Sequence, residues 1–367
     1  MEKKKTYLYI YVCMAALLFV GAAISLSVGS AEIGIIGSIK LALSGIPGIG
    51  QFVDISAYST MQRYIILQVR LPRVLLAALV GAGLSAAGGV FQGIFQNPLA
   101  DPHILGVSSG AALGATIAIL FGVQVSVLGI GTIGVCAFIG AILTIMLVYL
   151  IGGMKKGAKT IGILLTGTAI STLFSAVMSL LMSLNHDKIE QVYLWTMGSF
   201  SSAVWVKVCY VAICEMICLC VCIVLSKDLN LMAMGEETAQ SLGIETARIR
   251  RILILVVSVM VAACVSVSGV IGFVGLVIPH IVRFLLGDDY RRILPGAILG
   301  GGFFLMICDT LARTVTAPGE LPVGVLTAIV GAPYLILLIK QKLAREISNV
   351  YGPQSRLAAS RFRRIPS

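Results

Sequence analysis

Long apolar runs alternate with short polar stretches along almost the whole chain. A helix needs about 20 apolar residues to cross a hydrocarbon layer about 30 Å thick. By that measure the pattern predicts ten transmembrane helices, at residues 7–28, 74–95, 104–123, 125–151, 161–184, 204–225, 252–286 (two helices), 293–315 and 323–339. The run at 252–286 supplies two helices, because one helix of that length would measure about 52 Å and must turn back.

Two interruptions of the pattern predict bends in the chain. Residues 96–103 form a short polar hinge between the second and third spans. Inside residues 252–286 a turn or helix break is easiest at a glycine or a proline. The candidates are Gly269, Gly272, Gly275 and Pro279. We therefore expect structural hinges at Asn97, Pro98, Asp101, Pro102, Gly272, Gly275 and Pro279.

The lysines and arginines predict which side of the membrane each loop occupies. With the N-terminus inside, 20 of the 27 fall in inner loops and tails. The exceptions are Lys40, Arg63, Arg70, Arg73, Lys188, Lys207 and Arg313. Cationic loops stay in the cytoplasm, so ten crossings with both termini cytoplasmic fit the charge distribution. We divide the chain into residues 1–28 (tail and first helix), 29–340 (core with the other nine helices, including a cytoplasmic segment at 226–251) and 341–367 (basic cytoplasmic tail).

The composition indicates that this all-α chain is an integral membrane protein. The chain is 58% hydrophobic and 12% charged, and its mean hydropathy is +1.01. A soluble domain carries about 25% charged residues. The nine cysteines show no CxxC or Cys/His ligand spacing, so we expect no metal site and take them as small apolar side chains.

No catalytic constellation is visible. The chain has three histidines and no phosphate-binding loop, HExxH motif or nucleophile elbow. Asp309 and Arg313 are four residues apart on one predicted helix, so we expect them to pair, although an ion or proton path through them is the alternative. Glu215 lies inside a span with no partner predicted.

Two charged regions outside the spans suggest contacts with other proteins. Arg70 and Arg73 fall on the outer side, where they either extend to the membrane interface or bind acidic side chains of an external partner. Residues 235–243 predict a short helix ended by Gly243. That helix is either a solvated connection or a contact for a cytoplasmic partner.

Five motifs in order resemble the permease subunits of ATP-binding-cassette (ABC) importers for ferric siderophores, haem and vitamin B12, the FecCD type. They are RLPR at 70–73, NPLADP at 97–102 with LGVS at 105–108, GE at 235–236 with LG at 242–243, GFVGLVIPH at 272–280, and ELPVG at 320–324. The resemblance covers nearly the whole chain after the first span. It implies a type II ABC importer permease fold in a prokaryotic plasma or inner membrane.

The resemblance also implies partners and residue roles. The chain would form a dimer, with a second copy or a close homologue, and would work with two cytoplasmic ATPase subunits and an extracytoplasmic substrate-binding protein. ATP and Mg would be bound by the ATPase, so this chain would hold no cofactor and would not be an enzyme. The implied roles are ATPase coupling for Gly235, Glu236, Glu237, Ala239, Leu242 and Gly243, docking of the binding protein for Arg70, Arg73 and Arg313, and a pathway or gate for Lys159, Thr160, Thr166, Gly167 and Ser171.

The cargo is open at this stage. A ferric siderophore comes first, with haem and cobalamin as alternatives in the same family. An ion-gradient-driven secondary transporter and a non-transporting membrane scaffold are the alternatives of a different class.

Overall fold

The computed structural model describes residues 2–29, 33–123, 127, 130–152 and 160–351. This part of the chain is helical, and its one strand-like feature is an isolated bridge between Val127 and Ile130. The α-helices are α1 Glu2–Ser27, α2 Ile35–Ser44, α3 Thr60–Tyr64, α4 Leu71–Ile94, α5 Val107–Phe121, α6 Thr132–Gly152, α7 Thr160–Leu184, α8 Ile189–Thr196, α9 Trp205–Val224, α10 Ser226–Ala233, α11 Glu236–Ser241, α12 Thr246–Ser268, α13 Val274–Leu286, α14 Tyr290–Ala312 and α15 Val323–Tyr351.

Each of the ten predicted spans corresponds to a helix. Within the described residues, eight helices are long and apolar enough to cross a membrane: Lys5–Ser27, Thr60–Ile94, Thr132–Gly152, Gly162–Leu184, Trp205–Val224, Thr246–Ser268, Tyr290–Ala312 and Val323–Lys340. The shorter apolar helices α5 and α13 occupy the remaining two predicted spans. With 15 and 13 residues they measure about 22 and 20 Å, less than a full crossing.

The second span begins earlier than predicted. Residues 60–94 form one helical run, in which a π-helical segment, Ile65–Arg70, joins α3 to α4. Pro72 lacks a backbone N–H, and in π-helical winding that N–H would bond to the carbonyl five residues earlier. That carbonyl, on Leu67, instead accepts a hydrogen bond from Trp205 Nε1 at 2.9 Å. The apolar pattern missed this start, because residues 60–73 include polar side chains.

The last span ends later than predicted. Helix α15 continues from the predicted end at 339 to Tyr351. The sequence beyond 339 contains strong helix formers such as Leu, Ala, Lys, Arg and Glu, which extend a helix without apolar periodicity. Only residues 352–367 of the predicted basic tail fall outside the described part of the chain.

The break inside 252–286 lies at residues 269–273, between α12 and α13. Gly269 has φ 73° and Phe273 has φ 69°, so both ends of the break adopt the left-handed region. Gly269 and Gly272 therefore lie in the break, as predicted. Gly275 and Pro279 instead lie within α13, so the predicted hinge is confined to the residues before Val274.

Helix α4 forms the centre of the bundle, and most of its residues are buried. It packs against α14, α13, α12 and α9. Glycines make these approaches possible: a Cβ on Gly81 would collide with the Gly301 carbonyl of α14, and a Cβ on Gly88 would collide with the Gly275 backbone of α13. Small residues at helix crossings let backbones approach closely in a membrane, which explains the high glycine content.

Candidate functional site

Arg73 is the centre of a buried ionic cluster near the start of α4. Its Nε and one terminal nitrogen bind Asp309 of α14 at 2.9–3.1 Å. Its two terminal nitrogens bind Glu320, in the loop before α15, at 2.9 and 3.1 Å. The Asp309 side chain is 1% exposed and that of Glu320 is 40% exposed. The predicted docking residue is thus fully engaged within the chain, by one buried and one accessible carboxylate.

Arg70 and Arg313 both bind the C-terminal end of α1. Arg70 donates to the Leu26 and Ser27 carbonyls at 2.8 and 3.1 Å. Arg313 donates to the Val28 carbonyl at 3.0 Å and to the Ser25 carbonyl. The last carbonyls of a helix have no partner within it and carry its negative dipole end, so two guanidinium groups stabilise this terminus.

Asp309 pairs with Arg73, and not with Arg313 as the spacing predicted. Arg313 follows the last residue of α14 and turns to α1, while Asp309 faces α4. Residues four apart can meet on a helix surface, but the nearer arginine across the helix interface has the better geometry here. Whether Arg70, Arg73 and Arg313 receive an external protein stays a prediction.

The hinge between α4 and α5 is ordered by its own polar side chains. Asn97 Oδ1 accepts from the Leu99 N–H, and Asp101 Oδ1 accepts from the His103 N–H. Asp101 thereby caps the short 3₁₀ helix Pro102–Leu105. Gln96, with φ 49°, bonds through its amide to the Met232 carbonyl of α10 at 2.7 Å. The hinge is therefore attached to the segment that leads into the predicted coupling helix.

The two breaks in the helical pattern meet in the fold. His103 Nε2 lies 3.1 Å from the Ile271 carbonyl, in the break between α12 and α13, and its Nδ1 contacts Ser108 Oγ. The break also touches α15, because a Cβ on Gly331 would collide with the Phe273 side chain. Non-helical backbone at membrane depth is tolerated where protein surrounds it, and these contacts surround it here.

Gln92 joins α4 to α13, and sequence reasoning missed it. Pro279 cannot donate a backbone hydrogen bond to the Gly275 carbonyl. Gln92 Nε2 lies 3.4 Å from that oxygen and 3.2 Å from the Leu276 carbonyl. Arg283 donates to the Gln92 Oε1 at 3.1 Å. A proline in a predicted helix with a lone amide in a neighbouring one is the signal that could have indicated this contact.

The predicted coupling helix is α11, a six-residue helix set between two glycines with positive φ, Gly235 (126°) and Gly243 (84°). Ala239 is buried against the rest of the chain, whereas Glu237 and Leu242 are exposed, Leu242 to 60%. Large apolar residues exposed on a solvent loop suit a contact with another protein. The coupling role itself stays a prediction.

Glu236 points back to α12. Its carboxylate accepts from Arg250 at 3.0 Å and from Thr246 Oγ1 at 3.2 Å. The hydrogen bond from Arg250 lowers the pKa of Glu236, opposed by partial burial. Glu236 therefore attaches α11 to the first turns of α12, while its side chain remains 44% exposed.

The predicted pathway residues of α7 face the protein. A Cβ on Gly167 would lie 2.6 Å from the Ile104 carbonyl oxygen of the hinge. Ser171 accepts a hydrogen bond from Ser109 of α5 at 2.9 Å, and Thr166 bonds to the Gly162 carbonyl of its own helix. Lys159 lies outside the described residues, as does the side chain of Thr160. A neighbouring face of α7 exposes a polar stripe of Thr168, Thr172, Ser175 and Ser179.

Glu215 is buried between α9, α4 and α12. It is 2% exposed, and its Oε1 accepts from Cys264 Sγ at 3.3 Å. Gly83 makes room for it, because a Cβ there would collide with the carboxyl group. Among the described residues, no group of His, Cys, Asp and Glu could hold a metal ion.

Comparisons with known proteins cover most of the chain. The model of the FecCD transport family matches residues 17–341. The hemin transport system permease HmuU of Yersinia pestis is 42% identical over 280 residues, 75% of this chain and 83% of that protein. The molybdate import system permease MolB of Haemophilus influenzae is 37% identical over 332 residues, 89% and 94% of the two chains. Further relatives are named as cobalamin and Fe(3+)-citrate import permeases.

A solved structure shares the fold. It is an inward-facing conformation of a protein assigned to the metal-chelate type of ABC transporters, with a TM-score of 0.78 and 35% identity. The match covers 91% of this chain and 99% of that one.

Proposed function

This chain belongs to the FecCD transport family of ABC importer permeases, and from that premise we propose that it carries an iron chelate of the ferric siderophore class across the membrane. The observation that carries the proposal is the family match over residues 17–341, on a fold shared with a transporter of the metal-chelate type. Permeases of this family work with ATPase and substrate-binding partners and are not themselves enzymes.

The translocation pathway forms between two copies of the permease. Helices α7 and α15 have faces free for such a contact, because only 17% and 22% of their membrane-spanning windows are buried within one chain, as low as the 17% of α1. The polar stripe of α7 gives one such face hydroxyl groups. These groups suit contact with a large, hydrated chelate better than contact with lipid. In α15 the corresponding exposed residues are apolar, among them Ile329, Ile336 and Leu337.

ATP-driven transport requires the cytoplasmic partner to favour one conformation of the permease over another. A partner shifts such an equilibrium only through different affinities for the two states. Helix α11 offers the contact, with Leu242 exposed and Glu236 bonded to α12. Movement of α11 is passed to α12, and through the Gln96 contact of α10 to the hinge. ATP and Mg are held by the partner subunits.

An external binding protein brings the chelate to the outer face, where Arg70, Arg73 and Arg313 gather. Arginine suits this role because its planar fork binds carboxylates with two hydrogen bonds. Glu320 already occupies one edge of Arg73 and is accessible, so an incoming carboxylate has an exchangeable partner to replace.

Haem is the second candidate cargo. It is favoured by the 42% identity to the hemin permease of Yersinia pestis. The relatives named for molybdate, cobalamin and Fe(3+)-citrate show that family membership alone does not fix the cargo.

The test is uptake by the native host with this chain deleted and then restored. A ferric siderophore labelled with radioactive iron is expected to enter only when the chain is present, while haemin, cobalamin and molybdate enter equally in both strains. Loss of haemin uptake alone would favour the second candidate. Uptake that continues in cells depleted of ATP, while an ion gradient across the membrane is maintained, would overturn the ATP-driven mechanism.

A further inference from the structure

A cavity of about 640 Å³ lies where the ends of α5, α6, α9 and α12 meet the turn of α8. The sidedness predicted from the charges puts these helix ends on the outer side of the membrane. Its volume is within the range of about 300–1,000 Å³ that small-molecule sites occupy. The cavity is not lined by α7 or α15, so it is separate from the pathway proposed between two copies.

One cation faces the cavity without an acidic partner. Lys207 is the one charged residue in the described lining. Its Nζ donates to Ser202 Oγ at 2.7 Å, and no carboxylate of the described chain lies within ion-pair distance of it. An ammonium group has three donors, so two are left to be satisfied by a ligand or by water.

Neutral hydrogen-bonding groups line the same cavity as that lysine. Ser199, Ser201 and Gln191 belong to the lining and supply donors and acceptors. The remaining wall is mostly apolar, with Ile119, Ile133 and Leu194 among its members. This lining carries one positive charge, several hydroxyl groups and an apolar side, and so complements an anion with oxygen acceptors attached to an apolar body.

We propose that this cavity binds a phosphate group, with Lys207 as its charged partner and the neighbouring serines as further donors. A phosphate group reaches this place either as the headgroup of an anionic phospholipid or as free inorganic phosphate. Lysine binds phosphate as a point charge, and hydroxyl groups supply the directed hydrogen bonds. The apolar wall favours the phospholipid, because a free ion would leave that wall without a ligand contact.

The experiment compares the full-length wild type with Lys207→Gln. The matched control is Lys188→Gln, which removes an exposed lysine from the same face outside the cavity. Protein purified in detergent is supplied with an equal mixture of phosphatidylglycerol and phosphatidylcholine, and retained lipid is measured by native mass spectrometry. Wild type and Lys188→Gln are expected to retain phosphatidylglycerol about tenfold over phosphatidylcholine, as one charge-assisted hydrogen bond implies. Lys207→Gln loses that preference.

A second arm identifies the source of the phosphate. Delipidated protein is titrated with inorganic phosphate, and the unfolding temperature is followed. A saturable rise in the wild type that is absent in Lys207→Gln assigns the site to free phosphate. Lipid preference without such a rise assigns it to the phospholipid headgroup.

A further variant separates binding from folding. Ser202→Glu places a carboxylate beside Lys207 and keeps the lysine, so it is expected to abolish phosphate binding while the unfolding temperature in phosphatidylcholine stays at the wild-type value. If Lys207→Gln and Ser202→Glu both fold and match the wild type in lipid preference and in the phosphate titration, the proposal is wrong.

Discussion

Arg73 holds two carboxylates of very different exposure, and exposure sets how much each contributes to stability. Removing the charge of Asp309 leaves Arg73 partly unpaired in a buried place, and breaking a buried pair costs about 3–5 kcal/mol. Glu320 is 40% exposed, and pairs at that exposure contribute about 1 kcal/mol or less.

We therefore expect Asp309→Asn to lower the free energy of unfolding far more than Glu320→Gln does. Thermal unfolding of the purified protein in detergent measures both, and each substitution changes a carboxylate to the amide of the same size. Equal destabilisation by the two would show that Arg73 does not distinguish its partners by burial.

Loss of the Gln92 amide leaves the Gly275 carbonyl, whose helical donor is missing at Pro279, without a hydrogen bond. It also removes one of the partners of Arg283, which keeps Tyr290 and Asp288. Gln92 Nε2 serves the Gly275 and Leu276 carbonyls, and its Oε1 receives Arg283. A buried polar group left unsatisfied costs about 1–3 kcal/mol. Gln92→Leu is expected to destabilise the fold by at least that much in thermal unfolding, whereas Gln51→Leu, at an exposed position, leaves stability within experimental error. A neutral Gln92→Leu would contradict the view that it replaces the hydrogen bond missing at Pro279.

At the scale of helices, alanine substitutions at two adjacent glycines of α4 are expected to change stability in opposite directions. A Cβ at Gly88 collides with the α13 backbone, while a Cβ at Gly89 meets its nearest atoms at 3.6–3.8 Å, an ordinary contact distance. Gly88→Ala must separate α4 from α13, and overpacking costs about 1–3 kcal/mol. Gly89→Ala gains helix propensity of about 0.5–1 kcal/mol.

Expression level and unfolding temperature are expected to fall for Gly88→Ala and to hold or rise for Gly89→Ala. Because both residues lie on one helix and undergo the same change, the comparison isolates the helix contact. A fall of equal size in both variants would indicate that α4 tolerates no added methyl group anywhere.

Two neighbouring residues of α7 differ in their accessibility to water. Thr172 belongs to the exposed polar stripe, and Ser171 accepts a hydrogen bond from α5. In a chain whose exposed Cys13, Cys209 and Cys220 are changed to Ser, Thr172→Cys is expected to react with a water-soluble maleimide far faster than Ser171→Cys. Faster labelling of Ser171→Cys would support the pathway role predicted for Ser171 from the family resemblance.

At the scale of the whole molecule, transport requires that α11 stay attached to the membrane helices while it meets its partner. The Glu236–Arg250 pair supplies that attachment. Arg250→Glu is expected to reduce ATP-dependent uptake severalfold, and adding Glu236→Arg to it should recover most of the loss by restoring the pair in reverse. A double variant no better than the single one would mean that one of the two side chains contacts the ATPase directly.

Sequence patterns predicted the transmembrane helices at this scale, and missed the irregular helix start and the side-chain contacts between helices. The lengths of the apolar runs indicated a helix for each of the ten predicted spans, because lipid demands long apolar helices. They missed the π-helical start before Pro72 and the partners of Asp309, because such contacts join residues far apart in the chain. Arg73 and Asp309 are separated by 236 positions, and no local pattern encodes which arginine a carboxylate meets.

Motifs indicated where the site lies, and not which way its residues face. Gly167 and Ser171 pack against the hinge and α5 within one chain, and their predicted place along a pathway stays a prediction. A helix rotated by one residue turns a side chain by about 100°, and only packing with its neighbours fixes that rotation. Gln92 was not singled out, and Glu320 was noted only as part of the ELPVG motif at 320–324, because a polar residue shows its partner only once the helices are assembled.

The binding of Arg70 and Arg313 to the end of α1 has a consequence for biosynthesis. Arg313 follows the Ser25 and Val28 carbonyls by 288 and 285 positions. At a synthesis rate of about 5–20 residues per second, roughly 15–60 s separate these carbonyls from the guanidinium that closes them. The first helix to leave the ribosome therefore waits for nearly the last one before its end is complete. A nascent chain released before Arg313 keeps the Arg70 hydrogen bonds to Leu26 and Ser27 but lacks those to Ser25 and Val28.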